Sequence, residues 1–370
     1  MTMISVKPVT DAGSMEDFLS VAYRVYRDDP QWVAPIASEL RRTLDFDRNP
    51  YFATAVLRLF IAYRDTMPVA RCCVVVNREQ WRKSGVNQAF FGCFEALDDD
   101  EAVDRLFSCA REFARSTGAT VLEGPFNPHH YAEVGLQTDA FDQPPIFFEA
   151  YNPPYYRSLV ERAGFSVLHR IHTRINRDPA GYLRKRYGDA DHGTRRGEFT
   201  VRNFSLLRFG AELERIREIN NEAFNDNWYF LPLSRAEYRF STASLFLVTY
   251  PRLIMLVEHR GRPVGVLQCV LDVNPLLRPM RGRPGPGDYL RFIAGRRRIR
   301  DLVIYAVGIK KAYRHTRVYI LLLDLMRRVA RKYRTVSSTW MYDENRPAKA
   351  AAESLGLEPY KWFAIYAQRL

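Results

Sequence analysis

The sequence predicts a mixed α/β protein, α+β in its sheet arrangement, built as two tandem domains. Three observations predict it: one order of elements occurs twice, the chain has 370 residues, and 47% hydrophobic with 26% charged residues is an ordinary globular balance. A single core rarely grows to that length, so two domains of about 150–190 residues are expected. The boundaries fall at 1–176 for the first domain, 177–198 for a linker and 199–370 for the second.

In the first half, ISVKPV reads as a strand, and Phe18, Val21, Ala22 and Val25 give helical spacing over Ser14–Tyr26. A short basic helix follows over Ala34–Leu44. AVLRLFIAYRD and VARCCVVVN form an antiparallel pair, and FFGCFEA is a third strand. Asp98, Asp99 and Asp100 supply caps for a helix over Glu101–Ser116 that Gly118 stops. ATVLEGPF is a buried strand, PPYYRSLVERAGF a short helix, and SVLHRIHTRI the last strand. The linker loses its period, with one helical turn at Tyr182–Tyr187.

The second half repeats the order. FTVRNFSL is a strand, helices cover Phe209–Phe224 and Ser234–Leu247, and RLIMLVEH pairs with PVGVLQCVLDV. A Pro, Gly and Arg-rich insert covers Asn274–Arg300. DLVIYAVGI, a helix over Val318–Tyr333, SSTWMY, a helix over Pro347–Leu355 and KWFAIYAQRL complete the set. Each half therefore reads β, α, α, β, β, β, α, β, α, β, a repeat of architecture without repeated sequence.

Charge is uneven. Of 55 basic residues eight are lysine, the net charge is +13, and Leu277–Arg334 carries seventeen Lys or Arg against three Asp. Clustered arginine steers and forks onto phosphates, so an anionic partner is expected; a solvated basic face is the alternative. The stretch MTMISVKPVTDAG has neither a signal peptide pattern nor a spanning run, so no membrane partner is expected, and the cysteine usage fits a reducing cytoplasm. Cys72, Cys73, Cys93, Cys109 and Cys269 form no CxxC pair or disulfide framework. The histidines, including His129–His130 and His169 with His172, make no metal motif, and no metal is expected.

Two stretches carry a family resemblance. VIYAVGIKKAYRHTRVY has Val307 at a strand end, then Tyr313 and Arg314, and Asn345, Ala348, Leu355 and Gly356 stand at the offsets of N-x-x-A-x-x-x-Y-x-x-L-G-F. These resemble the two best-known motifs of the GNAT acyltransferase superfamily, and the whole chain is similar to a bacterial group with two GNAT-like halves. The phrases YRVYRDDPQWVAPI, GPFNP, FEAYNPPYY, NEAFNDNWYFLPLS and YDENRPAKAAAESLG carry the second likeness. Asn152, Tyr155, Leu159 and Gly164 echo the second motif in the first half.

The resemblance implies a strand-to-helix loop whose backbone N–H groups hold the pyrophosphate of coenzyme A at a helix N-terminus. It implies donor contacts at Val307, Gly308, Ile309, Tyr313, Arg314, Arg317 and Asn345, with the oxyanion held by backbone N–H near Val307–Ile309. The sequence departs from the pattern at His315 and Arg317, where small residues or glycines belong, and at Ala352, where the tyrosine acid belongs. Asp343, Glu344 and His315 are then the base candidates, and Tyr342, Tyr360 or Tyr366 the replacement acid. Asp343 and Glu344 serve equally as helix caps. Asn227, Trp228 and Tyr229, with Phe230, are expected to line an acceptor pocket.

Bulky, cationic replacements in a pyrophosphate loop obstruct close backbone approach and add positive charge. The expected function is therefore transfer of an acyl or aminoacyl group to an amine, hydroxylamine or hydroxyl of a small molecule. Aminoacyl-tRNA is favoured over acyl-CoA as a donor co-substrate, with no tightly bound cofactor and no DNA partner. Arg296, Arg297, Arg298, Arg300, Arg327, Arg328 and Arg331 are the tRNA-contact candidates. An ordinary acyl-CoA enzyme is the alternative. A non-catalytic RNA-binding or scaffold protein on the same fold is the third reading.

Overall fold

The computed structural model describes residues 3–129, 132–188 and 195–370. His130 and residues 189–194 of the expected linker therefore lie outside the described residues. In chain order the elements are β1 Ile4–Pro8, α1 Ala12–Val25, α2 Ala37–Leu44, β2 Ala55–Arg64, β3 Met67–Asn77, α3 Arg78–Ser84, β4 Gln88–Ala96, α4 Asp100–Ser116, β5 Val121–Gly124, β6 Leu136–Gln137, α5 Tyr156–Arg162 and β7 Ser166–Asn176. Then come α6 Pro179–Tyr187, β8 Arg195–Arg196, β9 Phe199–Asn203, α7 Phe209–Phe224, α8 Arg235–Thr242, α9 Leu245–Val248, β10 Ile254–His259, β11 Arg262–Leu271, α10 Asn274–Leu277, α11 Pro286–Gly295, β12 Asp301–Ile309, α12 Arg317–Ala330, β13 Thr335–Ser338, β14 Met341–Tyr342, α13 Arg346–Ser354 and β15 Glu358–Arg369.

Two compact units result: Met1–Ile171 with Leu277–Tyr289 and Lys361–Leu370, and His172–Leu276 with Leu290–Tyr360. They are interleaved in sequence, unlike the contiguous domains expected. The first unit orders its strands β1-β2-β3-β4-β5-β15, antiparallel except for the parallel pair β4 and β5. Alternation along β2 and β3 covers both faces. Phe60, Ala62, Cys72 and Val74 face Leu106, Phe107 and Ala110 of α4, while Leu59, Ile61, Cys73 and Val75 face Phe18 and Leu19 of α1. Asp99 caps α4 through the Ala102 amide and pairs with Arg64 at 2.8 Å. The unit takes its last strand from the chain's end, with Tyr366 opposite Gly124.

The second unit repeats the plan with β13-β12-β11-β10-β9-β8, β12 and β13 being the parallel pair. Its remaining strand is the end of β7, where Asn176 sits opposite Val336. On one sheet face α7 packs Leu213, Ile216 and Ile219 onto Leu256 and Val266. On the other face α12 comes so close to β11 that a Cβ on Gly265 would lie 2.9 Å from Val318 Cγ1.

Several elements differ from the expectation. The helix expected over 234–247 stops at Thr242, whose hydroxyl bonds back to the Tyr238 carbonyl at 2.6 Å and competes with the helical ladder. The Asn274–Arg300 insert contains α10 and α11, the latter entered by Pro286, which suits a first helical turn. Asp178 caps α6 just before Pro179, so that helix is longer than the single expected turn. The strand expected over 337–342 is interrupted at Thr339 and Trp340, and that break helps to open the site described next.

Candidate active site in the second unit

β12 has a strand on each side only over its first half. β13 pairs with it from Asp301 to Ile304 and goes no further, and a bulge at Tyr305 shifts the β11 register. At the fork, Thr339 donates its amide to the Ile304 carbonyl at 3.2 Å and its hydroxyl to the Tyr305 carbonyl at 3.1 Å. Beyond it, no strand among the described residues covers that edge of β12.

The register decides which backbone groups face the opening. The Lys310 amide bonds the Val264 carbonyl at 2.9 Å, and Val266 stands opposite Gly308 in the same register. Amides alternate along a strand, so Gly308 also points to β11, while Val307 and Ile309 direct theirs to the open edge. A strand edge that presents two such donors is a ready contact for a carbonyl oxygen that gains charge.

One sheet face of this unit carries a narrow apolar pocket of about 20 Å³, whose walls contain Leu213, Ile216, Leu245, Phe246, Ile254 and Tyr305. Gln268 lies in its wall and donates to Asn220 Oδ1 at 3.2 Å. That oxygen would stand 3.2 Å from a Cβ on Gly308. An apolar cleft thus reaches the central strand through one polar pair. Tyr305, Gln268 and Asn220 were not singled out from the sequence.

The loop from β12 to α12 is held from two sides. Glu222 Oε1 accepts the Lys311 amide at 2.8 Å, Asp226 pairs with Lys311 Nζ at 2.8 Å, and Arg314 donates to the Ala223 carbonyl at 2.8 Å. The Tyr313 hydroxyl lies 3.1 Å from His259 Nδ1, and His259 Nε2 lies 3.0 Å from Glu198. The amides of Tyr313, Arg314, Thr316 and Val318 already bond Lys310, Lys311, Tyr313 and the Thr316 hydroxyl. The loop therefore presents fewer backbone donors than a glycine-rich cradle. His315 and Arg317 are exposed beside the start of α12.

Of the candidate acids and bases, Tyr342 is buried, its phenol pushed well up by burial. It packs edge-on against Trp228 at 4.6 Å, so this acid candidate meets an acceptor-pocket candidate. Asp343 is paired with Lys349 at 2.8 Å, whose hydrogen bond lowers its pKa. The cap of α13 is Asn345, which accepts the Ala348 amide at 3.2 Å, so neither Asp343 nor Glu344 takes that role. Asn227 is exposed, and Tyr229 sits in the left-handed backbone region at φ 60°. Tyr366 belongs to the first unit, buried with its hydroxyl 3.5 Å from Glu161, and burial pushes its pKa up to about 12. Tyr360 stacks under Arg177 at 5.4 Å.

The tRNA-contact candidates are spread along the second unit. Arg296–Arg300 precede β12, and the loop follows it, a separation of roughly 26 Å along an extended strand. Arg327 lies roughly 15 Å along α12 from its first residue. Arg327 also stacks on the Tyr187 ring at 4.0 Å and donates to its hydroxyl at 3.1 Å, and Arg331 bonds the Gly188 carbonyl at 2.5 Å. These two, with the half-buried Arg328, tie α12 into the unit. Among the described residues no three His, Cys, Asp or Glu side chains are arranged to hold a metal.

His172 lies within the buried row of β7, 1% exposed, accepting from Arg174 Nε at 3.2 Å. Burial first, then the Arg174 charge, pushes its pKa from 6.5 down to about 4. The unfolded chain takes up a proton below 6.5 that the folded one refuses, so this stability is full above 6.5 and lost as pH falls toward 4. In urea melts across that range, His172→Leu should gain on wild type as pH drops. A constant difference would show that folding leaves the His172 pKa unshifted.

No family model matches the chain. It is 27% identical over 383 aligned positions to the bacterial ceramide synthase of Caulobacter vibrioides, covering 99% of this chain and 98% of that protein. It is 23% identical to protein YghO of Escherichia coli, covering 99% and 95%. Among solved structures, a tandem GNAT protein from the clavulanic acid biosynthesis pathway superposes with a TM-score of 0.59 at 13% identity, covering 99% and 98%. A GCN5-related N-acetyltransferase from Sphaerobacter thermophilus gives 0.53 at 12%, covering 99% and 95%.

The chain has the tandem GNAT fold.

Within that fold the two halves differ at the same place. In the first unit β4 also parts from its parallel neighbour, after Phe90, but the GPFNP stretch refills the gap. The Phe126 amide bonds the Phe91 carbonyl at 2.8 Å and Asn127 Oδ1 accepts the Cys93 amide at 2.7 Å. A Cβ on Gly92 would lie 1.5 Å from the Phe126 carbonyl oxygen. The first GNAT half is plugged where the second is open.

Proposed function

We propose that the second GNAT half transfers an acyl group from a thioester to the amine of a long-chain amphiphile. The observation that carries this reading is the apolar pocket over β10, β11 and β12, whose wall residue Gln268 bonds Asn220 above Gly308. A small polar acceptor has no use for such walls, while a hydrocarbon chain gains roughly 0.8 kcal/mol for each methylene buried. The name of the Caulobacter relative supports the same class, since a ceramide is the amide of a long-chain amino alcohol.

The chemistry needs few groups. The amine attacks the thioester carbonyl, whose oxygen gains charge against the amides of Val307 and Ile309. A C–N bond forms, the C–S bond breaks, and the nitrogen loses a proton. Tyr342, neutral and buried, is the candidate to protonate the departing thiolate. Arg317 supplies a cationic contact and His315 a hydrogen-bonding one for the phosphates of a coenzyme A-type donor.

Purified protein offered a long-chain acyl-CoA is expected to acylate a long-chain amino alcohol, read as amide by mass spectrometry. Short amines should react poorly. Product from aminoacyl-tRNA but not from the thioester, or equal use of short and long amines, would overturn the proposal.

A further inference from the structure

The rim of the cleft is unusually greasy for a surface. Leu206 and Leu207, just ahead of α7, are 61% and 99% exposed, and Leu247 on α9 is 52% exposed. Their neighbours in sequence meet: Phe209 packs on Phe246 at 4.6 Å, and Phe246 is itself a wall of the cleft. Leu290 and Ile293 of α11 are 71% and 52% exposed, three residues apart and so on one helical face. The only buried residue of that helix is Phe292.

The end of α11 is fixed beside α9. Arg296 donates to the Leu247 carbonyl at 2.9 Å and covers the Tyr250 ring at 4.9 Å. Arg297, Arg298 and Arg300 follow at once, all exposed. Apolar side chains without charge repel no particular partner, but this set is bordered by arginines, and that combination selects an apolar surface with anionic edges.

We infer that this face of the second unit docks on an anionic lipid bilayer, with Leu290, Ile293, Leu247, Leu206 and Leu207 entering the headgroup region and Arg297 and Arg298 meeting lipid phosphates. The inference rests on the proposed long-chain acceptor in one respect: docking would set the mouth of the cleft at the place where such a molecule resides. It replaces the sequence expectation of no membrane partner, and it gives the arginine cluster a role away from the donor loop. No helix among the described residues is long and apolar enough to cross a membrane, so the contact is peripheral.

The test uses the full chain and vesicles of phosphatidylcholine with or without phosphatidylglycerol, read by co-sedimentation. Binding is expected only with the anionic lipid and should weaken as salt rises. Leu290→Asp with Ile293→Asp, and separately Arg297→Ala with Arg298→Ala, should each weaken it by about tenfold or more. Turnover of a detergent-dispersed acceptor should be unchanged in both variants. That assay separates the two ideas, because loss of wild-type turnover sinks the proposed function and not the docking. Failure of the wild type to bind, or binding indifferent to both variants, overturns the docking surface. So does self-association or capture of an acidic carrier protein that the same substitutions abolish while vesicle binding persists.

Discussion

Val307→Pro is expected to give a folded protein that transfers acyl groups roughly 100- to 1,000-fold more slowly than wild type, the loss typical of one oxyanion donor. Proline removes one backbone N–H, and in a sheet it is tolerated where that N–H faces away from the ladder. Val307 fits that condition, because its amide points to the open edge of β12 and its side of the ladder with β11 makes no bond. Gly308 does not fit it. Gly308→Pro removes a donor directed at β11 and adds bulk where a Cβ already meets Ile219 at 3.1 Å, so it should lower stability by about 3 kcal/mol or more. Turnover and thermal melts on the two variants separate a catalytic amide from a structural one. Wild-type turnover in a folded Val307→Pro protein would remove the open edge from the chemistry.

The strand that carries this site was legible in the sequence end for end, and so was α7 over Phe209–Phe224, because each has one period and clear flanking signals. The bulge at Tyr305 was not legible, since it is a matter of pairing with β11. Gln268 and Asn220 lie 48 residues apart, and only packing of α7 on the sheet brings them together. The GPFNP stretch was visible as a phrase, but its role as a plug depends on where β4 parts from β5. The charge cluster is spread out in space for a simple geometric reason. Arg300 and Lys310 are ten residues apart in sequence, yet an extended strand between them converts ten residues into roughly 30 Å. Of Arg327, Arg328 and Arg331, at and just beyond the end of α12, aromatic stacking and a carbonyl contact engage the first and last within the unit. The contact of the Trp228 ring with Tyr342 joins two segments more than a hundred residues apart, which no local pattern shows.

Leu245→Asp is expected to lower kcat/KM for a long-chain amine by roughly 100-fold while leaving a short-chain amine within about twofold. Leu245 is half-buried in the cleft wall, so a carboxylate there keeps access to water and the fold tolerates it. A hydrocarbon chain passing that wall, however, must share the cleft with a hydrated charge or desolvate it. The chain-length series gives the sharper reading. With wild type, each added methylene that enters the cleft should raise kcat/KM by about fourfold, the value of roughly 0.8 kcal/mol expressed as a rate ratio. The rise should stop when the cleft is full, and with Leu245→Asp it should flatten from the first methylenes. Because the substitution is remote from the amides of Val307 and Ile309, kcat at saturating short amine reports their integrity independently. A parallel slope in both proteins would place the acceptor chain elsewhere, and a fall in kcat for every amine alike would mark Leu245 as structural.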